Sequence, residues 1–203
     1  MPPNPPNPVA TQDGRVRPLP DRFFRRPAQV VAPDLLGATI VSGIGGRPTR
    51  AIIIETEAYL GRDDPASHAY LGRRHSGNAS LYGAPGTWYV YRSYGIHWCA
   101  NLVCRGPEAG GAVLLRALLP VEGLPVMRRR RGEVADRFLA NGPGKLCQAL
   151  GISRVLDGTA MRDSPVVVGD TPKRPAGERL VTPRIGITKA TDWPLRFVLR
   201  PTS

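Results

Sequence analysis

Residues 52–60 read Ile-Ile-Ile-Glu-Thr-Glu-Ala-Tyr-Leu, an apolar run that ends in polar side chains. Three successive isoleucines are typical of a strand that is covered on both faces. Glu55, Glu57 and Tyr59 alternate along this strand and therefore share one face. Carboxylates at the end of a buried strand destabilise the fold unless they are paired or used in chemistry. The stretch predicts a buried strand whose two acids are either paired or used in chemistry.

The two acids have different interpretations. For Glu55, an ion pair with a nearby arginine is the preferred interpretation. For Glu57, a structural ion pair and a catalytic role are equally compatible with the strand pattern. A carboxylate that is partly desolvated beside an aromatic wall can act as a general base for water.

The other elements predict one antiparallel α+β domain at residues 21–203. A short helix interrupted or restarted by Pro33 is expected at 27–36, and a longer helical region broken at 141–144 is expected at 122–150. Residues 61–80 are polar and irregular, and residues 1–20 hold seven prolines, which predicts a disordered tail outside the fold. Strands or short apolar pieces are predicted at 38–44, 49–59, 87–92, 97–104, 112–119, 166–168, 184–187 and 196–199.

The charge balance points to a polyanionic partner. Lysine and arginine number 28 against 16 acids, which gives a formal net charge of +12, and all but three of the basic residues are arginines. Guanidinium groups hold phosphate bidentately and stack on rings, so nucleic acid is favoured. A GC-rich genome would also enrich arginine, and composition alone leaves that alternative open.

Several other classes fit the sequence poorly. No apolar run reaches the roughly 18 residues of a membrane span, and the first eight residues lack the features of a signal peptide. Cys99, Cys104 and Cys147 are odd in number and have no CxxC spacing, which disfavours a disulfide framework and a zinc site. We therefore expect a cytoplasmic protein with reduced thiols.

Aromatic residues are concentrated in one part of the chain. All six tyrosines, all three histidines and two of three tryptophans fall within residues 59–98, and positions 65–107 contain no acid. Rings interleaved with arginine are suited to stacking bases and holding phosphates. Apolar cores favour Leu, Ile, Val and Phe over Tyr and His, so a binding site is the better interpretation of this segment.

In this context the sequence resembles the alkyladenine (3-methyladenine) DNA glycosylases. The resemblance runs in order over roughly residues 22–200. Its motifs are Asp34-Leu35-Leu36-Gly37, Glu55-Thr56-Glu57-Ala58-Tyr59-Leu60-Gly61 with His68, Pro85-Gly86-Thr87-Trp88-Tyr89-Val90-Tyr91, Tyr94-Gly95, Asn101, Leu114-Leu115-Arg116-Ala117, Glu122-Gly123, Gly142-Pro143-Gly144-Lys145-Leu146 and Pro194-Leu195-Arg196-Phe197.

The resemblance implies a curved antiparallel sheet surrounded by helices, with a β-hairpin that intercalates into DNA. Glu57 matches the general base, and Tyr94 matches the wedge that enters the duplex. The rings that sandwich the extruded base match Tyr59, His68 and Tyr91.

Further matches concern selectivity and the DNA backbone. Asn101 matches the residue that crowds the exocyclic amino group of normal guanine. Arg116 matches a polar contact near the water and the DNA backbone. Arg92, Gly144 and Lys145 are weaker candidates for backbone contacts, and a plain helix cap is an equal alternative for the last two.

The implied activity is base excision from double-stranded DNA. The substrates are alkylated or deaminated purines such as 3-methyladenine, 7-methylguanine, hypoxanthine and ethenoadenine. A Glu-activated water hydrolyses the N-glycosidic bond and leaves an abasic site. No metal or cofactor is needed, and the protein is expected to be a monomer associated with the nucleoid.

Two alternatives use the same residues differently. A non-catalytic nucleic-acid-binding module would explain the charge and the aromatic residues. A carbohydrate glycosidase would use Glu55 and Glu57 as its carboxylate pair. The strand spacing does not exclude this pair, but the charge of +12 argues against a neutral sugar as substrate.

Overall fold

A computed structural model of the protein describes residues 10–11, 14–106, 108–170 and 175–202. These parts contain eleven strands and four α-helices, joined by loops with short 3₁₀ turns. The strands are β1 (Ala10–Thr11), β2 (Gly14–Arg15), β3 (Arg17–Pro18), β4 (Thr39–Ser42), β5 (Thr49–Tyr59), β6 (Trp88–Ser93), β7 (His97–Cys104), β8 (Gly111–Glu122), β9 (Val166–Asp170), β10 (Gly177–Thr182) and β11 (Arg196–Pro201). The helices are α1 (Asp21–Phe24), α2 (Ala28–Asp34), α3 (Leu124–Arg131) and α4 (Pro143–Leu150).

Nine strands form one antiparallel sheet with β5 near its centre. The main order is β3-β9-β4-β5-β8-β7-β6, while β11 also pairs with β5 and β10 pairs with β11. One edge of β5 pairs with β8, and the other edge is shared by β4 along Thr49–Ile52 and by β11 along Glu55–Glu57. The register with β8 shifts around Glu55, which is the mark of a β-bulge and bends the strand. The predicted α+β class with a curved antiparallel sheet is confirmed.

The two faces of β5 serve different purposes. The Thr56 hydroxyl donates to the carbonyl oxygen of Ala32 in α2 at 2.9 Å, so Thr56 faces the helices. Side chains alternate along a strand, and Glu57 therefore points to the opposite face. This register separates the apolar core from the polar residues at the end of β5.

Strand β6 shows the same separation. Trp88 and Val90 belong to the main core with the apolar residues of α2 and α4. Tyr89 belongs to a second, smaller cluster that includes Leu81 and Tyr82, and Tyr91 packs against it. The tyrosines of β6 therefore lie on the face of the sheet that carries Glu57.

The N-terminal boundary differs from the prediction. Arg17 and Pro18 pair with Asp170 and Gly169 of β9, and Leu19 is buried in the main core. Residues 17–20 are therefore part of the fold, because one edge strand and one apolar anchor hold them to the sheet. Residues 1–9 and 12–13 of the predicted tail lie outside the described residues.

Three other segments also depart from the sequence pattern. Strand β10 was not predicted, because its side chains are mostly exposed and its pairing is with the distant β11. The predicted apolar piece at 184–187 is not a strand. The break between α3 and α4 spans residues 132–142, which is wider than the four residues expected.

Part of the arginine excess is used inside the fold. Arg130 on α3 donates to the carbonyl oxygens of Ile44 and Ala149, and Arg131 donates to that of Leu139. These hydrogen bonds hold α3 against its neighbours. Part of the arginine excess therefore stabilises the fold, independently of any polyanionic partner. Among the described helices, none is long and apolar enough to cross a membrane.

The main core should dominate stability. Leu115 on β8 is fully buried, so Leu115→Ala should lower the free energy of unfolding by about 2–5 kcal/mol through lost contacts and a cavity. Val155→Ala is the control, because Val155 is 89% exposed and should change it by less than about 0.5 kcal/mol. Urea denaturation measures both variants, and equal effects would contradict this packing.

Candidate active site

A cavity of about 520 Å³ lies on the face of the sheet that carries the tyrosines of β6. Its volume falls within the roughly 300–1,000 Å³ of small-molecule sites. The end of β5, the loop around His68, strands β6 to β8 and the segment after β10 contribute its walls. The lining residues that bear on function are Tyr59, His68, Tyr89, Tyr91, Arg92, Tyr94, Asn101 and Lys189.

Three rings form one continuous wall of the cavity. The ring centroids of His68 and Tyr91 lie 4.5 Å apart at an interplanar angle of 70°, and those of Tyr89 and Tyr91 lie 5.4 Å apart and stacked. His68 Nδ1 and the Tyr89 hydroxyl are 2.7 Å apart. Tyr59 lines the same cavity from the end of β5. Tyr89 is not among the site residues predicted from the sequence, although its position two residues before Tyr91 on one strand face is a signal for it.

The rings of this wall are uncharged at neutral pH. Burial raises the pKa of Tyr59, Tyr89 and Tyr91 far above the usual range, and the Glu57 carboxylate raises that of Tyr59 further. Burial also lowers the pKa of His68 below its ordinary value. A neutral, electron-rich wall attracts a cation over the faces of its rings.

The Glu57 side chain has no solvent exposure and lies behind Tyr59. Its Oε1 accepts a hydrogen bond from the Ile185 backbone N–H at 2.8 Å and lies 3.3 Å from Arg116 Nη1. Its Oε2 accepts a hydrogen bond from the Tyr59 hydroxyl at 3.0 Å. Each carboxylate oxygen can accept two hydrogen bonds, so Oε2 retains acceptor capacity on the side of Tyr59.

Glu57 is therefore connected to the cavity through Tyr59. It is not among the described residues that line the cavity.

Glu55 has the ion-pair role that the sequence favoured. Its Oε1 is 3.0 Å from Arg116 Nε and 2.6 Å from Arg196 Nε. Arg116 thereby bridges Glu55 and Glu57, and it also donates to the carbonyl oxygen of Ile185 at 3.4 Å. Both guanidinium groups hold the same oxygen of Glu55, so the structure gives Glu55 the contacts of a structural carboxylate.

Asn101 on β7 lines the cavity and is buried. Its Nδ2 donates to the carbonyl oxygen of Tyr89 at 3.0 Å. This bond orients the amide relative to the aromatic wall.

The turn between β6 and β7 presents an aromatic residue to solvent. Tyr94 is 88% exposed, and its φ of 50° lies in the left-handed region. Gly95 follows with φ of 69°, and the Ile96 N–H closes the turn on the Ser93 carbonyl oxygen at 3.0 Å. Positive φ at both central residues is what a two-residue hairpin turn requires, and the first of these positions here carries a bulky exposed ring.

Two of the three candidates for DNA-backbone contacts lie outside the cavity. Arg92 is exposed and lines the cavity, with Cζ 5.7 Å from the centroid of a Trp98 ring. A Cβ added at Gly144 would lie 2.7 Å from the His97 Cβ, so glycine allows α4 to begin close beside β7. Lys145 is exposed and donates to the Asn141 side chain at 2.9 Å. The roles of these residues on DNA stay predictions.

The described residues contain no group of three or more His, Cys, Asp or Glu side chains that could hold a metal ion. Cys99, Cys104 and Cys147 are buried and form no disulfide.

The chain is similar to known proteins of one family. The sequence model described as methylpurine-DNA glycosylase (MPG) matches residues 22–203. A protein of Granulibacter bethesdensis is 50% identical over 182 residues, which cover 88% of this chain and 82% of that protein. A protein of Rhodopseudomonas palustris strain HaA2 is 50% identical over 186 residues, covering 90% and 87% of the two chains. One of Methanoculleus marisnigri is 48% identical over 185 residues, covering 90% and 95%. All three carry the provisional name 3-methyladenine DNA glycosylase.

The protein is a DNA N-glycosylase, a hydrolase that binds DNA and acts in its repair. The chain belongs to the methylpurine-DNA glycosylase family, because the match covers residues 22–203, which include eight of the nine strands of the sheet, the residues that line the cavity and the exposed turn. The resemblance stated from the sequence motifs is confirmed. Membership of this family favours the enzyme over a non-catalytic binding module.

The charge state of the wall can be measured directly. His68 should take up its proton below pH 6.5, the ordinary value for histidine, because burial disfavours the imidazolium. An NMR titration of the imidazole signals, assigned with His68→Gln, gives the midpoint. A midpoint at or above pH 6.5 would contradict the lowering of the His68 pKa by burial.

Proposed function

We propose that the protein excises alkylated purines from double-stranded DNA with a water molecule activated by Glu57. The observation that carries the proposal is a fully buried carboxylate joined by a hydrogen bond to Tyr59, which lines a cavity with an uncharged aromatic wall. The names of the relatives, which refer to 3-methyladenine, support the same class of substrate.

The damaged nucleotide has to leave the duplex to reach this cavity. Extruding a base requires a few kcal/mol, and stacking in a pocket offsets part of that requirement. In the proposed complex the purine stacks between Tyr59 on one side and His68 with Tyr91 on the other. Tyr94 enters the space that the nucleotide leaves in the duplex.

The uncharged wall accounts for the preference for damaged bases. Methylation at a ring nitrogen of 3-methyladenine or 7-methylguanine makes the purine cationic, and a cation is attracted to the faces of Tyr and His rings. The positive charge also makes the base a better leaving group. Neutral substrates such as hypoxanthine and ethenoadenine additionally require a proton on the departing base.

The chemical step is a hydrolysis at the anomeric carbon. The oxygen of water forms a bond to C1′, the bond from C1′ to the purine nitrogen breaks, and its electron pair leaves with the base. Glu57 accepts the proton of the water through Oε2, and its negative charge stabilises the oxocarbenium character that develops on the sugar. Ile185 and Arg116 hold Oε1, which leaves Oε2 directed toward Tyr59. The products are a free base and an abasic site.

Asn101 is proposed to discriminate against undamaged guanine. Its side chain lines the cavity and is fixed by its bond to the Tyr89 carbonyl oxygen. The exocyclic amino group of guanine would meet this side chain. Adenine derivatives lack that group at the same ring position.

The DNA surface proposed here surrounds the mouth of the cavity. Arg92 and Lys189 line the cavity, and Gly144 and Lys145 lie at the start of α4 beside β7. The side chains of Arg92, Lys145 and Lys189 would contact phosphates and make the affinity for DNA dependent on salt concentration. We further propose that the protein acts as a monomer on nucleoid DNA.

Glu57→Gln should retain DNA binding and lose base release. The amide cannot accept a proton from water, so the single-turnover rate should fall at least about 100-fold. Four duplexes, each with one of the four lesions named above, are incubated with enzyme and treated with alkali to cut abasic products. Glu178→Gln is the matched control, because Glu178 is exposed in a pair with Arg200. Base release by Glu57→Gln at the control rate would contradict the role of Glu57.

Tyr94→Ala should weaken binding to lesion duplexes more than binding to undamaged duplexes. The side chain is 88% exposed, so the free energy of unfolding should change by less than about 0.5 kcal/mol. Fluorescence anisotropy with matched lesion and plain duplexes measures the ratio of the two affinities. Equal losses on both duplexes would contradict a wedge.

A further inference from the structure

A buried ion pair joins two distant parts of the chain behind the cavity. Arg184 Nη1 is 2.5 Å from Asp64 Oδ2, and Nη2 is 2.9 Å from Oδ1. Both side chains have no solvent exposure. Neither residue is among the described residues that line the cavity, so the pair is placed to act on its walls from behind.

The Asp64 carboxylate also organises the loop that leads to His68. Its Oδ2 accepts a hydrogen bond from the Leu60 N–H at 3.1 Å, and its Oδ1 accepts one from the Ala66 N–H at 3.0 Å. With the two bonds from Arg184, each oxygen accepts two hydrogen bonds, which is its full capacity. This one side chain therefore holds the backbone on both sides of Asp64, at Leu60 and at Ala66, in the segment that leads to His68.

Arg184, the other member of the pair, contacts the end of β5. Its Nη1 donates to the Ala58 carbonyl oxygen at 3.0 Å, and its Cζ lies 4.7 Å from the centroid of the Tyr59 ring. The next residue, Ile185, donates its N–H to Glu57 Oε1. The guanidinium group thus fixes both the ring that covers Glu57 and the backbone donor that holds it.

We propose that the Asp64–Arg184 pair is the positioning device of the active site. It holds the Tyr59 ring, the Ile185 N–H and the start of the His68 loop in one arrangement, and it sets the rate of bond cleavage more than the affinity for DNA. The inference rests on the proposed role of Glu57. A buried ion pair contributes little more to stability than apolar side chains of similar volume would, so orientation is the better explanation for it.

The test uses substitutions that preserve charge or shape. Arg184→Lys keeps the positive charge but loses the planar fork and the face that lies over Tyr59. Asp64→Asn is nearly isosteric but presents an NH₂ group to the guanidinium. Arg162→Lys is the matched control, because Arg162 forms an exposed pair with Asp21 at 2.8 Å. Single-turnover excision is measured over a range of enzyme concentrations on the lesion duplex that the wild type cleaves fastest.

Amplitude and rate report different properties in this experiment. The amplitude gives the fraction of enzyme that is folded and active. The rate constant at saturating enzyme is that of bond cleavage in the complex, and it depends on the geometry of the site. Arg184→Lys and Asp64→Asn should keep full amplitude and lose about 10–100-fold in rate constant, since small displacements of reacting groups slow chemistry strongly. The half-saturating concentration should change less than about threefold, because the pair does not touch DNA. Arg162→Lys should match the wild type.

The two substitutions should also act as one unit. The double variant should be no slower than the slower single variant, which is the signature of two groups in one interaction. Rate constants of wild-type size in Arg184→Lys and Asp64→Asn would overturn the proposal. The proposal is equally overturned if both variants lose amplitude, keep the wild-type rate constant and do not regain amplitude on cooling. That result would show that the pair serves only the folded structure.

Glu57→Gln in the same assay separates this inference from the proposed function. Full activity in Glu57→Gln would contradict the proposed function itself. An inactive Glu57→Gln together with a fully active Arg184→Lys would contradict only the positioning role.

Discussion

Glu57 carries its carboxylate at a position with no solvent exposure, and such a group has to be held by hydrogen-bond donors from several directions. The donors come from three parts of the chain: Arg116 on β8, the Ile185 N–H after β10 and the Tyr59 hydroxyl on β5 itself. They meet only because β5 pairs with β8 on one edge and with β11 on the other. The strand pairing of β5 therefore brings together the hydrogen-bond donors that the buried Glu57 carboxylate requires.

The sheet also separates stability from chemistry. The helices cover one face with apolar side chains, and the other face carries the neutral aromatic wall and the cavity. Burial keeps the rings of the wall uncharged, while the chain as a whole carries a net charge of +12. The net positive charge suits a polyanionic partner, and neutral aromatic rings are suited to stacking against a base. This division suits a protein of the methylpurine-DNA glycosylase family.

Local signals in the sequence predicted the central elements. Strand β5, its two acids and the tyrosines of β6 follow from apolar runs and alternation, which are properties of neighbouring residues. The contact of Tyr89 with His68 shows the limit of this reasoning, because it depends on how the loop 61–80 folds back. The Asp64–Arg184 pair and the Ile185 N–H join positions 120 or more residues apart, and no local pattern relates them. Leu19 was missed for a related reason, since a single apolar anchor in a proline-rich segment has no periodicity.

The central claim is that Glu57 holds a water molecule against the sugar of an everted purine. A crystal structure of the Glu57→Gln protein with a duplex that contains ethenoadenine tests it most directly. The account predicts the base between Tyr59 and His68 with Tyr91, and a water within about 3.2 Å of both the residue 57 side chain and the anomeric carbon. A base that remains stacked in the duplex, or an everted base with no water beside residue 57, would contradict it.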